Sequence, residues 1–147
     1  MKITLREQLI GSWTLTELIE VPVDGTEITY PMGREPKGVI MYNPDGYMSA
    51  QIMNTNLSQV SGGASALDGF IHGNATYLAY SGAFHADDNK QVVSHTMYVS
   101  LFPDWMGHTQ SRIVHFTNGF LHLESGEPFM ASGRLVTHRL TWKRVEQ

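Results

Sequence analysis

The triplet Gly11-Ser12-Trp13, set between a short helix signal and an alternating run from Trp13 to Ile19, constrains this chain more than any other stretch. A sheet that closes on itself needs a sharp entry into its first strand and a bulky group to plug its narrow end. Glycine supplies the first and tryptophan the second. Ahead of the triplet, Thr4-Leu5-Arg6-Glu7 has the spacing of a capping box, in which the Glu7 amide donates to the Thr4 hydroxyl and the Glu7 carboxylate reaches back. Leu5, Leu9 and Ile10 give a small apolar face that Gly11 ends, so one or two helical turns lead into the first strand. Trp13, Leu15, Glu17 and Ile19 share one face of that strand, and with Trp13 inward Glu17 is inward too.

The rest of the chain reads as hairpins. Val21 to Pro36 holds three Pro and two Gly and forms a loop or irregular edge across the open end, with Tyr30 and Met32 as lid residues. Gly38 to Tyr42 and Tyr47 to Met53 flank the turn Asn43-Pro44-Asp45-Gly46. Ser65-Ala66-Leu67-Asp68 offers a second N-cap ahead of Leu67, Phe70, Ile71 and Ala75, which makes a short lid helix weakened by Gly69 and Gly73. Strands return at Tyr77 to His85, with Leu78, Tyr80, Gly82 and Phe84 on one face, and at Gln91 to Phe102, with His95, Met97, Val99 and Leu101 on one face. Both of those faces look inward. Pro103 to Gly107 is a turn carrying Trp105 at the rim, His108 to Phe116 and Phe120 to Glu124 flank a tight Asn118-Gly119 turn, and Arg134 to Arg144 closes the set with Val136, His138, Leu140 and Trp142 aligned. The pattern predicts one all-β domain over residues 1–147; hairpin rhythm alone fits a barrel or a sandwich, and the Gly-x-Trp opening with Trp142-Lys143-Arg144 tilts the choice to an up-and-down antiparallel β-barrel of eight or nine strands. Closure of such a barrel pairs the last strand with the first and brings Arg144 or Arg139 onto Trp13.

Bulk properties remove several function classes. With 10 Lys+Arg against 14 Asp+Glu and a net charge of -4, there is no basic patch for nucleic acid or anionic lipid. No cysteine is present, which excludes disulfides, thiolate nucleophiles and Cys-ligated zinc. No run approaches the roughly 20 apolar residues of a membrane span, and the N-terminal residues lack the apolar core of a signal peptide, so a cytoplasmic protein is expected. The seven histidines include no pair at metal-binding helical or His-x-His spacing, no Gly-x-Ser-x-Gly elbow occurs, and no phosphate-binding glycine loop precedes a helix. No metal and no cofactor is therefore expected.

Leu9-Ile10-Gly11-Ser12-Trp13-Thr14-Leu15, Gly38 to Tyr42, Asp45 to Ser49 and Tyr80-Ser81-Gly82 together resemble the lipocalin-like domain family of bacteria and fungi. Val93-Ser94-His95, Ser100 to Gly107, Gln110-Ser111-Arg112 and Leu140 to Arg144 extend the resemblance over nearly the whole chain. It implies a calycin-like barrel with a central ligand cavity, in a family met near secondary-metabolite and catabolic pathways. It implies no single shared reaction.

Parity nominates the site. Glu17, Tyr80, His95 and Arg112 fall on the cavity face as candidate catalytic groups, and Trp13, Tyr42, Gln51, Phe84, Met97, Trp105, His138 and Trp142 as ligand-binding ones. A buried carboxylate or imidazole in an apolar lining has a shifted pKa, which lets a cofactor-free site move protons near neutral pH. The expected function is binding of a small hydrophobic or aromatic, polyketide- or terpenoid-like molecule with an acid/base step such as isomerisation, cyclisation or elimination. In it His95 is proton shuttle, Arg112 anion clamp, and Glu17 or Tyr80 the partner acid or base. The alternatives are a non-catalytic carrier or sensor with the same cavity, and a barrel filled by its own side chains. In the plainest reading of the polar groups, Glu17 pairs with Arg112 and the histidines bond neighbouring tyrosines. The expected partners are the small ligand alone, without nucleic acid or membrane, and a homodimer stays open.

Overall fold

The computed structural model describes residues 2–55, 77–131 and 133–146. A five-residue helix α1 (Leu5–Leu9) precedes nine strands: β1 (Gly11–Pro22), β2 (Lys37–Tyr42), β3 (Tyr47–Met53), β4 (Tyr77–Asp87), β5 (Val92–Ser100), β6 (Thr109–Thr117), β7 (Phe120–Ser125), β8 (Phe129–Ala131) and β9 (Arg134–Arg144). Each strand pairs antiparallel with its sequence neighbour as far as β7, which pairs with β9, and β9 pairs with β1 to close the ring. The result is a closed eight-stranded barrel with β8 added on β9 as a ninth strand. The short lid helix expected over residues 65–75 lies outside the described residues. No helix among the described residues is long and apolar enough to cross a membrane.

The local chemistry that set the hairpins is visible. Glu7 N–H donates to Thr4 Oγ1 at 3.1 Å, capping α1. Asn43 and Tyr47 bracket the β2–β3 turn, where Gly46 takes φ +95°. Asn118 and Gly119 both have positive φ between β6 and β7, as a two-residue hairpin turn matched to strand twist requires.

The narrow end is filled. Trp13 is 2% exposed, its indole N–H donates to Leu9 O at 3.0 Å, and it packs against Phe116 beside the fully buried Leu5 and Leu9. Trp13 pairs with Arg144 in register, and that guanidinium lies 4.1 Å above the indole ring while donating to Ile10 O. Helix, first strand and last strand are thereby tied at one point, the closure expected from the sequence.

Two irregularities redirect side chains. Leu15 pairs with Trp142 but Glu17 pairs with Thr141, so Thr16 is an extra residue in β1 and the alternation inverts beyond it. Leu18 and Glu20 consequently turn inward, and Glu17 turns to the outer face. Ser81 pairs with Val99 but Gly82 with Met97, which leaves Tyr98 extra in β5. His95 and Met97 point in as expected, whereas Val99 and Leu101 are exposed. Gly82 sits against this bulge so closely that a Cβ there would lie 1.8 Å from Thr96 O.

Candidate functional site

Above the packed end the barrel is hollow. A cavity of about 690 Å³ opens between the strands, with Leu18, Ile40, Leu140 and Trp142 among its apolar walls and Met32 reaching in from the 23–36 loop. That volume overturns the filled-barrel alternative, since ligand sites run roughly 300–1,000 Å³. Trp105, edge-on to Phe102 at 4.7 Å, stands at the mouth.

One wall carries a neutral polar cluster. Inward parity on β5 buries His95 to 1% exposure. Its Nε2 lies 2.7 Å from Tyr42 Oη and its Nδ1 3.2 Å from Tyr80 Oη. Tyr42 reaches His95 across the interior from β2, in the layer beneath the cavity, and meets Phe84 edge-on at 4.8 Å. Burial pushes the His95 pKa down to about 3, and the Arg112 guanidinium pushes the same way. Burial raises Tyr42 well above the ordinary phenol value, reinforced by Tyr80 and opposed by Arg112. Burial also raises Tyr80, again opposed by Arg112. All three rings are neutral at physiological pH. Arg112 donates from Nη2 to Gln110 Oε1 at 2.6 Å and from Nη1 to Ser111 O at 3.0 Å, and it lines the cavity with Tyr80 and His95.

The opposite wall carries an ionic cluster, because β5 stands four places round the ring from β1. Glu20 accepts from Thr29 Oγ1 at 3.1 Å, lies 3.0 Å from His138 Nε2 and 4.0 Å from Arg134. The hydrogen bond to His138 is the main cause of its lowered pKa; burial acts against it, and Thr29, His138 charge and Arg134 add to the lowering. His138 lines the cavity and is met edge-on by Phe129 at 4.7 Å.

A small hollow barrel with a plugged base, a first strand tied to the last and two polar clusters on otherwise apolar walls is a container for a small molecule. The model of the lipocalin-like domain matches residues 10–145. The chain belongs to the lipocalin-like domain family. A curated relative of this lipocalin-like chain, the 4'-hydroxy-3'-methoxypropiophenone carrier protein of Aspergillus oryzae, is 34% identical over 108 residues, covering 67% of this chain and 96% of the relative.

Within the lipocalin-like barrel the residues nominated by parity divide into groups. Tyr80, His95, Arg112, Trp105, His138 and Trp142 all line the cavity. Tyr42 contacts His95 from the layer beneath, and Phe84 and Met97 are buried core residues of the lower barrel, outside the cavity lining. Trp13 is the plug and does not reach the cavity. Gln51 points outward and accepts from Tyr77 Oη at 2.6 Å, because Met48, Ala50 and Ile52 take the inner face of β3. Glu17 sits on the outer face beside Thr141, whose hydroxyl bonds His122 at 3.0 Å. It makes no pair with Arg112, and the Thr16 bulge is the reason. The histidine–tyrosine bonds, in contrast, are present at His95. Polar residues missed by the parity count are Glu20, bonded to His138, and the lining residues Gln110, Ser111, Ser125 and Glu127. For Glu20 a signal existed: Thr14, Thr16 and Leu18 on one face change abruptly from polar to apolar, as do Leu15 and Glu17 in reverse.

Proposed function

We propose that this protein binds a small, mostly apolar aromatic molecule, of the polyketide- or terpenoid-like kind, in the barrel cavity and acts as a carrier or sensor for it. The observation that carries the reading is the 690 Å³ cavity whose walls are mainly aliphatic and aromatic, with Tyr80, His95, Gln110, Ser111 and Arg112 as one polar group and Ser125, Glu127 and His138 as another. Such a lining orients a ligand by a few polar contacts and holds it by burial. The carrier name of the Aspergillus oryzae relative supports the reading and suggests aryl ketones as the ligand class. In this reading the protein works in the cytoplasm on small-molecule metabolism.

A second reading, a cofactor-free acid/base step, is favoured by the direct connection of the Tyr80 hydroxyl through His95 to Tyr42 beside Arg112. It ranks second because a base works best with a pKa near the working pH, and an imidazole held at about 3 is a weak one. Titration with 4'-hydroxy-3'-methoxypropiophenone, followed by Trp fluorescence and by mass spectrometry of the recovered compound, separates the two. Saturable quenching with the compound recovered unchanged supports the carrier. Conversion that collapses in His95→Ala would establish the enzyme, and no quenching would sink the aryl-ketone assignment.

A further inference from the structure

We propose that Tyr42, His95 and Tyr80 form a one-way hydrogen-bond relay that holds the Tyr80 hydroxyl as a donor toward the cavity, so that this wall selects the carbonyl oxygen of an aryl ketone. The inference deepens the carrier reading above and rests on it.

A neutral imidazole has one N–H and one lone pair, so of its two tyrosine contacts it donates in one and accepts in the other. Two arrangements satisfy the geometry. In the first, Tyr42 donates to Nε2, and Nδ1–H donates to Tyr80 Oη. In the second every direction is reversed, with Tyr80 donating to Nδ1 and Nε2–H donating to Tyr42 Oη. What separates them is the proton left over on the terminal tyrosine. Reversal leaves that proton on Tyr42, which is 1% exposed, lies outside the cavity and has His95 as its hydrogen-bond partner among the described residues. A buried hydroxyl proton with no acceptor carries a full desolvation penalty. The first arrangement leaves it on Tyr80, which lines the cavity, where water or a ligand oxygen accepts it. The shorter contact, 2.7 Å at Tyr42 against 3.2 Å at Tyr80, fits a hydroxyl donating to an imidazole lone pair. The burial that keeps His95 neutral removes the third possibility, an imidazolium donating both ways.

The wall then presents donors. Tyr80 offers its O–H and Arg112 offers the N–H groups not given to Gln110 and Ser111. An acceptor oxygen conjugated to an aromatic ring meets both donors while its ring lies against the aliphatic wall. A ligand of the same shape without that oxygen leaves both donors without a partner. Tyr42 is a positioning residue here, since it fixes the sense of the relay from outside the cavity.

Imidazole ¹⁵N NMR of the full chain reads the relay, and binding of propiophenone against propylbenzene reads its consequence. In wild type His95 is protonated at Nδ1, and propiophenone binds about tenfold more tightly than propylbenzene, the worth of one good hydrogen bond. Tyr80→Phe keeps Nδ1 protonation, because Tyr42 still donates to Nε2, but loses most of the ketone preference. Tyr42→Phe releases the tautomer toward Nε2–H and cuts the preference although the cavity lining is unchanged, an effect that loss of packing does not produce. Nε2 protonation in wild type overturns the relay. Equal binding of the two compounds overturns the selectivity alone, whereas binding of neither overturns the aromatic-carrier reading and the selectivity with it.

Discussion

The two polar walls of the barrel solve one problem in opposite ways. Around His95 the cost of burying a titratable group is met by neutrality, with three uncharged rings hydrogen-bonded in series. Around Glu20 it is met by pairing, with a carboxylate kept ionised by His138, Thr29 and Arg134. Depth decides which solution is available. His95 is sealed above the packed lower layer, where a lone charge is expensive, while the Arg134 and His138 side chains, 31% and 17% exposed, keep the second cluster in touch with water. The His95 wall, with its uncharged rings and the donor groups of Arg112 beside them, is therefore the one suited to gripping a ligand oxygen, and the ionic wall ties β1 to β9 and the 23–36 loop.

The contrast breaks most visibly if the neutral wall loses its centre. His95→Leu keeps the volume but leaves the Tyr42 hydroxyl buried without a partner, and a loss of about 3 kcal/mol is expected from urea unfolding. Adding Tyr42→Phe to that variant should restore part of the loss by removing the orphaned group, and a double-mutant cycle measures the coupling. An unchanged or larger loss in the double variant would mean that packing, and not the hydrogen bond, carries the cost.

Acid should act on the neutral wall next. His95 titrates near its ordinary value when the chain is unfolded and at about 3 when folded, so between those values the unfolded state binds the extra proton. Its contribution is thus full above pH 6.5 or so and declines as pH falls toward 3, at up to about 1.4 kcal/mol per pH unit. Glu20, with a lowered folded pKa, adds loss in the same direction only once pH drops below the usual carboxylate range. Comparing wild type with His95→Gln between pH 6 and pH 5 isolates the histidine. A slope that survives the substitution would show that other groups cause it.

How far these walls could be read from the chain depends on whether a strand keeps its period. The final strand does, so Val136, His138, Leu140 and Trp142 all fall inward as the alternation requires. Closure through Trp13 and Arg144 was legible for the same reason, since both lie before the first irregularity in β1. One extra residue at Thr16 then exchanges Glu17 for Glu20, and one at Tyr98 sends Val99 and Leu101 to the outside. A linear count carries any such insertion forward to every later position. The relay was out of reach for a different reason. Parity puts Tyr42 inward, but its meeting with His95, 53 residues later, comes from the diameter of the closed ring and from what fills the layer below.

The smallest expected effect sharpens the comparison from the ionic side. Glu20→Gln keeps one acceptor oxygen for Thr29 or His138, turns the other oxygen into an amide donor, and removes the charge that faces Arg134 at 4.0 Å. Because Arg134 reaches solvent and stands at the limit of ion-pair distance, the attraction is screened from its side and the substitution should cost only about 1 kcal/mol. Raising the salt concentration toward 1 M, where the Debye length falls to about 3 Å, should shrink that difference further. The cost of His95→Leu should stay the same across the series, since no charge is lost there. A salt-independent Glu20→Gln cost would mean that Glu20 acts through its hydrogen bonds alone, and that the two walls differ in exposure but not in kind.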